Sequence, residues 1–120
     1  MKVRIHRGTK QIGGTCIELA AGGDRIALDF GLPLDGDAAD SSLVPVIGGD
    51  DLRAIVISHP HIDHYGLLHH VSGKTPVAMG GAARRIVQAA APFTGQPLPS
   101  PSRIPSSRQG SCPSSCAAMR

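Results

Sequence analysis

The chain has 120 residues, 41% of them apolar, with Phe30, Tyr65 and Phe93 as its aromatic residues and no tryptophan. It therefore has room for one domain whose core is built from Val, Ile, Leu and Ala and buries little area per residue. All nine acidic residues lie between Glu18 and Asp63 and are balanced by the nine Lys and Arg through Ser100, so the formal charge of +3 resides in Arg103, Arg108 and Arg120. A neutral body argues against a nucleic-acid surface made of clustered positive charge.

Val3 and Ile5 alternate with charged neighbours and predict a half-buried strand, followed by a glycine-terminated turn over 9–14. A second strand is expected at 15–20, a hairpin connection at 21–24, and a return strand at 25–30 with Ile26 and Leu28 on one face. Residues 31–51, rich in Gly, Pro, Asp and Ser, predict a long surface loop with a short element near 43–47. Ala54-Ile55-Val56-Ile57 is a wholly apolar run, the pattern of a strand covered on both faces. Residues 65–71 predict a short helix and 76–79 a strand. A second helix over 82–91 would place Ile86, Ala89 and Ala90 on one face, with Pro92 stopping it.

Composition divides the chain into a domain over 1–96 and a tail over 97–120 of Pro, Ser, Arg, Gly and Cys without hydrophobic periodicity, expected to lie outside any packed core. That tail resembles GC-rich DNA read in a shifted frame, so a truncated product is expected. The sequence shows neither an export signal nor a membrane-spanning run, and Cys16 stands alone in the body. A reducing cytoplasm is the expected compartment.

The chemistry is concentrated where the apolar strand ends, at His59-Pro60-His61-Ile62-Asp63-His64. Three histidines and an aspartate within six residues need metal or hydrogen bonds to offset their desolvation, and imidazole with carboxylate suits zinc. His59 and His61 can point toward one ion, while Asp63 and His64 can serve an adjacent one. Two close cations acidify a shared water and stabilise the oxyanion of a hydrolysis.

The run Ile57-Ser58-His59-Pro60-His61-Ile62-Asp63-His64-Tyr65-Gly66 resembles the metal motif of the metallo-β-lactamase superfamily, and Leu28-Asp29-Phe30-Gly31 fits that family's early strand end. The resemblance implies an α/β (α+β) fold, the N-terminal half of an αββα sandwich with a mixed sheet and flanking helices. It implies His59 and His61 on a first zinc and Asp63 and His64 on a second, with Asp63 also orienting the attacking hydroxide. Asp29 would sit beneath the metal loop and orient it. The family completes its site with downstream histidines and a bridging aspartate; after His64 this chain offers only His69 and His70, read as structural or solvent-facing, and no aspartate. Two zinc ions are therefore expected in intact relatives and one weakly held ion, or none, here.

Gly13-Gly14 and the loop Gly31-Leu32-Pro33-Leu34-Asp35 are similar to the ribonuclease J-like, β-CASP branch, which implies RNA as the parent's substrate. A small ester or thioester is the alternative substrate. The alternative class is a non-catalytic fragment or interaction module that self-associates through an exposed sheet face. Asp35, Asp37 and Asp40 read as solvated, the Cys112 and Cys116 spacing as a weak metal signal, and Cys16 as a small core residue.

Overall fold

The computed structural model describes residues 1–47 and 52–95, so the expected tail over 97–120 lies outside the described residues. Five strands form one sheet in sequence order: β1 (Lys2–Arg7), β2 (Cys16–Ala21), β3 (Asp24–Leu28), β4 (Leu52–Ile57) and β5 (Val77–Met79). The first three pair antiparallel and the last three parallel, which gives the mixed sheet expected of the fold. The hairpin between β2 and β3 turns on Gly22 and Gly23, both at positive φ. The parallel pairs need longer crossovers. The second crossover carries α1 (Ile62–Tyr65) and a 3₁₀ turn (Leu68–His70), and α2 (Gly81–Thr94) follows β5.

Side chains alternate between the two faces of the sheet. Cys16, Ala27, Ile55 and Ile57, at 0–3% exposure, point to one face and pack with Phe30, Leu32, Tyr65, Leu67, Leu68 and Val87 in a single core. The opposite face carries two cross-strand rows, Ile5–Ile17–Leu28–Val56–Ala78 and Val3–Leu19–Ile26–Ala54. Every member of these rows is apolar and half-buried or exposed, with Val3 at 58% and Ile5 at 53%. The apolar run of β4 predicts cover on both faces. Full cover is found on one: Ile55 and Ile57 are buried, whereas Ala54 and Val56 on the other face are half-buried and do not join the core.

Four further expectations are corrected. The single helix over 65–71 is instead α1 plus the 3₁₀ turn, because the Leu67 amide leaves the helical ladder to donate to the Phe30 carbonyl at 3.0 Å. Helix α2 runs through Pro92 to Thr94. Proline at this position forgoes one hydrogen bond near the helix end, and Gly95 closes the helix in the left-handed conformation, its amide on the Ala91 carbonyl. The face of α2 that packs is centred on Val87 at 1% exposure, whereas Ile86 is 54% exposed. β3 also ends at Leu28 rather than at residue 30, since Asp29 takes φ +60°.

Candidate metal centre

The site forms where β3 and β4 end. As parallel neighbours they finish on the same edge of the sheet, with the Asp29 amide donating to the Val56 carbonyl at 2.9 Å. Asp29 and Ser58, the residues that follow the two strands, are thereby placed side by side at the carboxyl ends, where open α/β sheets bind ligands. The positive φ of Asp29 is a conformation that aspartate tolerates better than most residues. It turns a 5%-exposed carboxylate under the histidine loop.

That carboxylate accepts from the Ser58 amide at 2.7 Å, from Ser58 Oγ at 2.9 Å and from His64 Nδ1 at 2.8 Å. Ser58 Oγ also lies 3.0 Å from His59 Nδ1. The His59 ring contacts the His61 ring edge-on at a centroid distance of 4.6 Å and the His64 ring at 3.8 Å. His64 Nε2 faces Asp63 Oδ2 at 3.4 Å. Thus His59, His61, Asp63 and His64 form one surface cluster, with Asp29 and Ser58 below it. The rings pack on one another, and among the described residues no three His, Cys, Asp or Glu side chains already converge on a single ion position.

The main chain frames this cluster. The Thr15 amide donates to the Asp63 carbonyl at 3.1 Å, the Phe30 amide to the His64 carbonyl at 2.8 Å, and the Leu32 amide to the Ile62 carbonyl at 3.1 Å. Gly31 must be glycine, because a Cβ there would collide with the Asp63 carbonyl. Gly13, at φ +75°, has Asp63 Cβ 2.9 Å from where its own Cβ would lie. The glycine-ended turn singled out in the sequence therefore acts as a close-packed wall of the loop.

Other candidates have structural employment. His69 and His70 both bring Nε2 to 2.9 Å from the Ala38 carbonyl, tying the long loop to the crossover. Asp37 and Asp40 accept from the amides of Ala39 and Ser42 within their own loop, and the Ser42 bonds hold the Asp40 carboxyl below its ordinary range. Burial, aided by the negative charges of Asp29 and Glu18, pushes the Cys16 thiol up to about 12, which makes it inert as a nucleophile. Burial likewise raises the Tyr65 phenol.

Ser58 and Glu18 were not anticipated from the sequence. Glu18, 6% exposed, accepts from His6 Nε2 at 2.8 Å, with Arg25 Nη1 at 3.5 Å, and its carboxyl is held below the ordinary range chiefly by the His6 bond. Ser58 had a legible signal: it stands after β4 as Asp29 stands after β3.

The model of the metallo-beta-lactamase superfamily matches residues 12–103. The chain belongs to this superfamily. Over 66 residues it is 30% identical to an RNase J-like protein of Methanocaldococcus jannaschii, a match covering 55% of this chain and 14% of that protein. Over 68 residues it is 32% identical to the transcription termination factor FttA of Methanothermobacter thermautotrophicus, covering 53% of this chain and 11% of that one. A crystal structure of a protein of unknown function from Enterococcus faecalis superposes with a TM-score of 0.64 at 24% identity, over 76% of this chain and 28% of that chain. This metallo-beta-lactamase-fold chain thus spans a small part of the length of its relatives. No helix among its described residues is long and apolar enough to cross a membrane.

Proposed function

We propose that this chain carries the first part of the metal centre of a zinc-dependent hydrolase, with His59, His61, Asp63 and His64 as donors, and that full-length proteins built on it hydrolyse RNA phosphodiesters. The observation that supports the metal most directly is the 3.4 Å approach of His64 Nε2 to Asp63 Oδ2. His64 already uses Nδ1 toward Asp29, so in a neutral ring Nε2 offers a lone pair to a carboxylate that also only accepts. Either a proton on Nε2 or a metal ion between the two removes that conflict, and a metal ion would take both atoms as ligands. Two ligands at 2.0–2.1 Å on a tetrahedral zinc stand roughly 3.3–3.4 Å apart, the same separation.

Zinc held here would acidify a water toward neutral pH and stabilise the oxyanion of hydrolysis. The chain's own residues supply the orientation. Asp29 holds His64, the Thr15 and Phe30 amides hold the loop backbone, and Asp63 presents a carboxylate able to orient the attacking water. RNA as substrate is favoured by the likeness to the archaeal RNase J-like protein. A cytoplasmic setting fits the single buried thiol of the described body.

Four donors divided between two ions leave each with two, so the chain alone is expected to bind one zinc weakly and to turn over little substrate. Calorimetric titration of the 120-residue chain tests this: one ion with micromolar or weaker affinity is expected, abolished in a His59→Ala/His61→Ala/His64→Ala variant. Two tightly held ions per chain contradict it. Assay of full-length relatives against RNA and thioesters decides the substrate class.

A second reading, an interaction module, is favoured by the open apolar face of the sheet, which suits a second copy of the chain or another sheet. A cooperatively melting monomer in solution would remove the need for a partner.

A further inference from the structure

We infer that Ser58 is a positioning residue that carries the orienting effect of Asp29 to a second imidazole, fixing His59 as the Nδ1–H tautomer with Nε2 free for a ligand. The inference follows from counting protons. A serine hydroxyl has one hydrogen to give and lone pairs to accept with, and a carboxylate only accepts. Ser58 Oγ lies 2.9 Å from Asp29 Oδ2, so the hydroxyl hydrogen is committed there. The same oxygen, 3.0 Å from His59 Nδ1, must then accept, and the hydrogen in that contact belongs to His59 Nδ1. Were the hydroxyl instead to donate to His59, two acceptors would face each other across the Ser58–Asp29 contact.

His64 reaches the same state by a shorter route. Its Nδ1 donates directly to Asp29 Oδ2 at 2.8 Å, and its 3.4 Å approach to Ser58 Oγ is a weaker second contact. One carboxylate thus sets two rings: His64 by direct contact, and His59, which it does not touch, through the hydroxyl between them. The tie is anchored at the main chain as well, because the Ser58 amide donates to Asp29 Oδ1 at 2.7 Å. Which nitrogen of a histidine is free for a metal is set by the hydrogen bond the other nitrogen makes. For its purpose this role rests on the zinc reading above, whereas the decisive measurement is made without metal.

The experiment is long-range ¹H–¹⁵N spectroscopy of the histidine rings in the metal-free 120-residue chain at about pH 8, where an ordinary imidazole is neutral. Wild type, Ser58→Ala and Ser58→Thr are compared, with dispersed amide spectra checking the fold; Ser58 is exposed, so the alanine variant opens no cavity. The expected result is Nδ1–H at both His59 and His64 in wild type. In Ser58→Ala, His59 alone should relax to the mixture of an unconstrained imidazole, and Ser58→Thr should restore it. His59 as the Nε2–H form in wild type, or unchanged in Ser58→Ala, overturns the inference. In the zinc titration, Ser58→Ala should weaken binding by about 10–100-fold, as loss of a partner that orients a metal ligand does. Ser58→Thr should stay near wild type. Absence of any zinc binding by wild type would sink the metal reading while leaving the tautomer result intact, so the two failures are distinguishable.

Discussion

The two faces of the sheet are built from similar residues and meet different fates. On one, Ile55 and Ile57 are buried against the crossover and α2; on the other, their neighbours Ala54 and Val56 are only half-covered. The site grows from the covered side, since Phe30 and Leu32 of that core donate their amides to the His64 and Ile62 carbonyls of the loop. The contrast teaches that apolar patterning in β4 records a demand for burial, and that what meets the demand on the second face is a separate question from whether the strand forms.

The largest expected effect sharpens that contrast within a single strand. Ile55→Ala should destabilise the chain by about 2–5 kcal/mol, the range for removing a fully buried aliphatic side chain. Val56→Ala should cost roughly 1 kcal/mol or less, as expected for a partly exposed position. Chemical denaturation of both variants checks this, and equal losses would show that the second face is covered in solution.

Next in size is Asp29→Ala, which strips the acceptor from the Ser58 amide, Ser58 Oγ and His64 Nδ1. It should cost about 1–3 kcal/mol in thermal or denaturant unfolding, and Asp29→Asn should cost less, since asparagine keeps an acceptor and tolerates the positive φ. A smaller effect is expected for Ile17→Lys on the open face. Little stability should be lost, while any self-association seen by analytical ultracentrifugation should fall. Association that persists unchanged would move the interface elsewhere.

The smallest effect concerns Glu18. Its carboxyl is lowered from an ordinary value of 4.5, mainly by the His6 hydrogen bond. A lowered folded pKa means that the stabilisation is present above the unfolded value and disappears as pH falls through the folded one. Glu18→Gln should therefore flatten the acid limb of the stability profile below about pH 4.5 and leave the limb above it unchanged in slope.

Much of this was legible before the structure. The alternation of β1, the glycines of the first hairpin and the β-branched run of β4 act locally, so each strand could be read from its own residues. The clustering of His59, His61, Asp63 and His64 follows from their closeness in sequence. What could not be read depends on contacts between distant segments. Ser58 acquires a role only because β3 and β4 run parallel and end together, and the Phe30 carbonyl breaks the helix expected after Tyr65. The packed face of α2 differs from the expected one because an Ala-rich helix marks its buried side weakly: Val87 is covered, and the larger Ile86 is not.

X-ray absorption at the zinc edge on the chain loaded with less than one equivalent of zinc tests the central claim most directly. The account predicts a first shell of nitrogen and oxygen alone, at about 2.0–2.1 Å, with imidazole scattering that is lost in His59→Ala/His61→Ala/His64→Ala. A sulfur shell near 2.3 Å would place the ion on cysteine instead, and with Cys16 buried that would mean Cys112 and Cys116, contradicting the account.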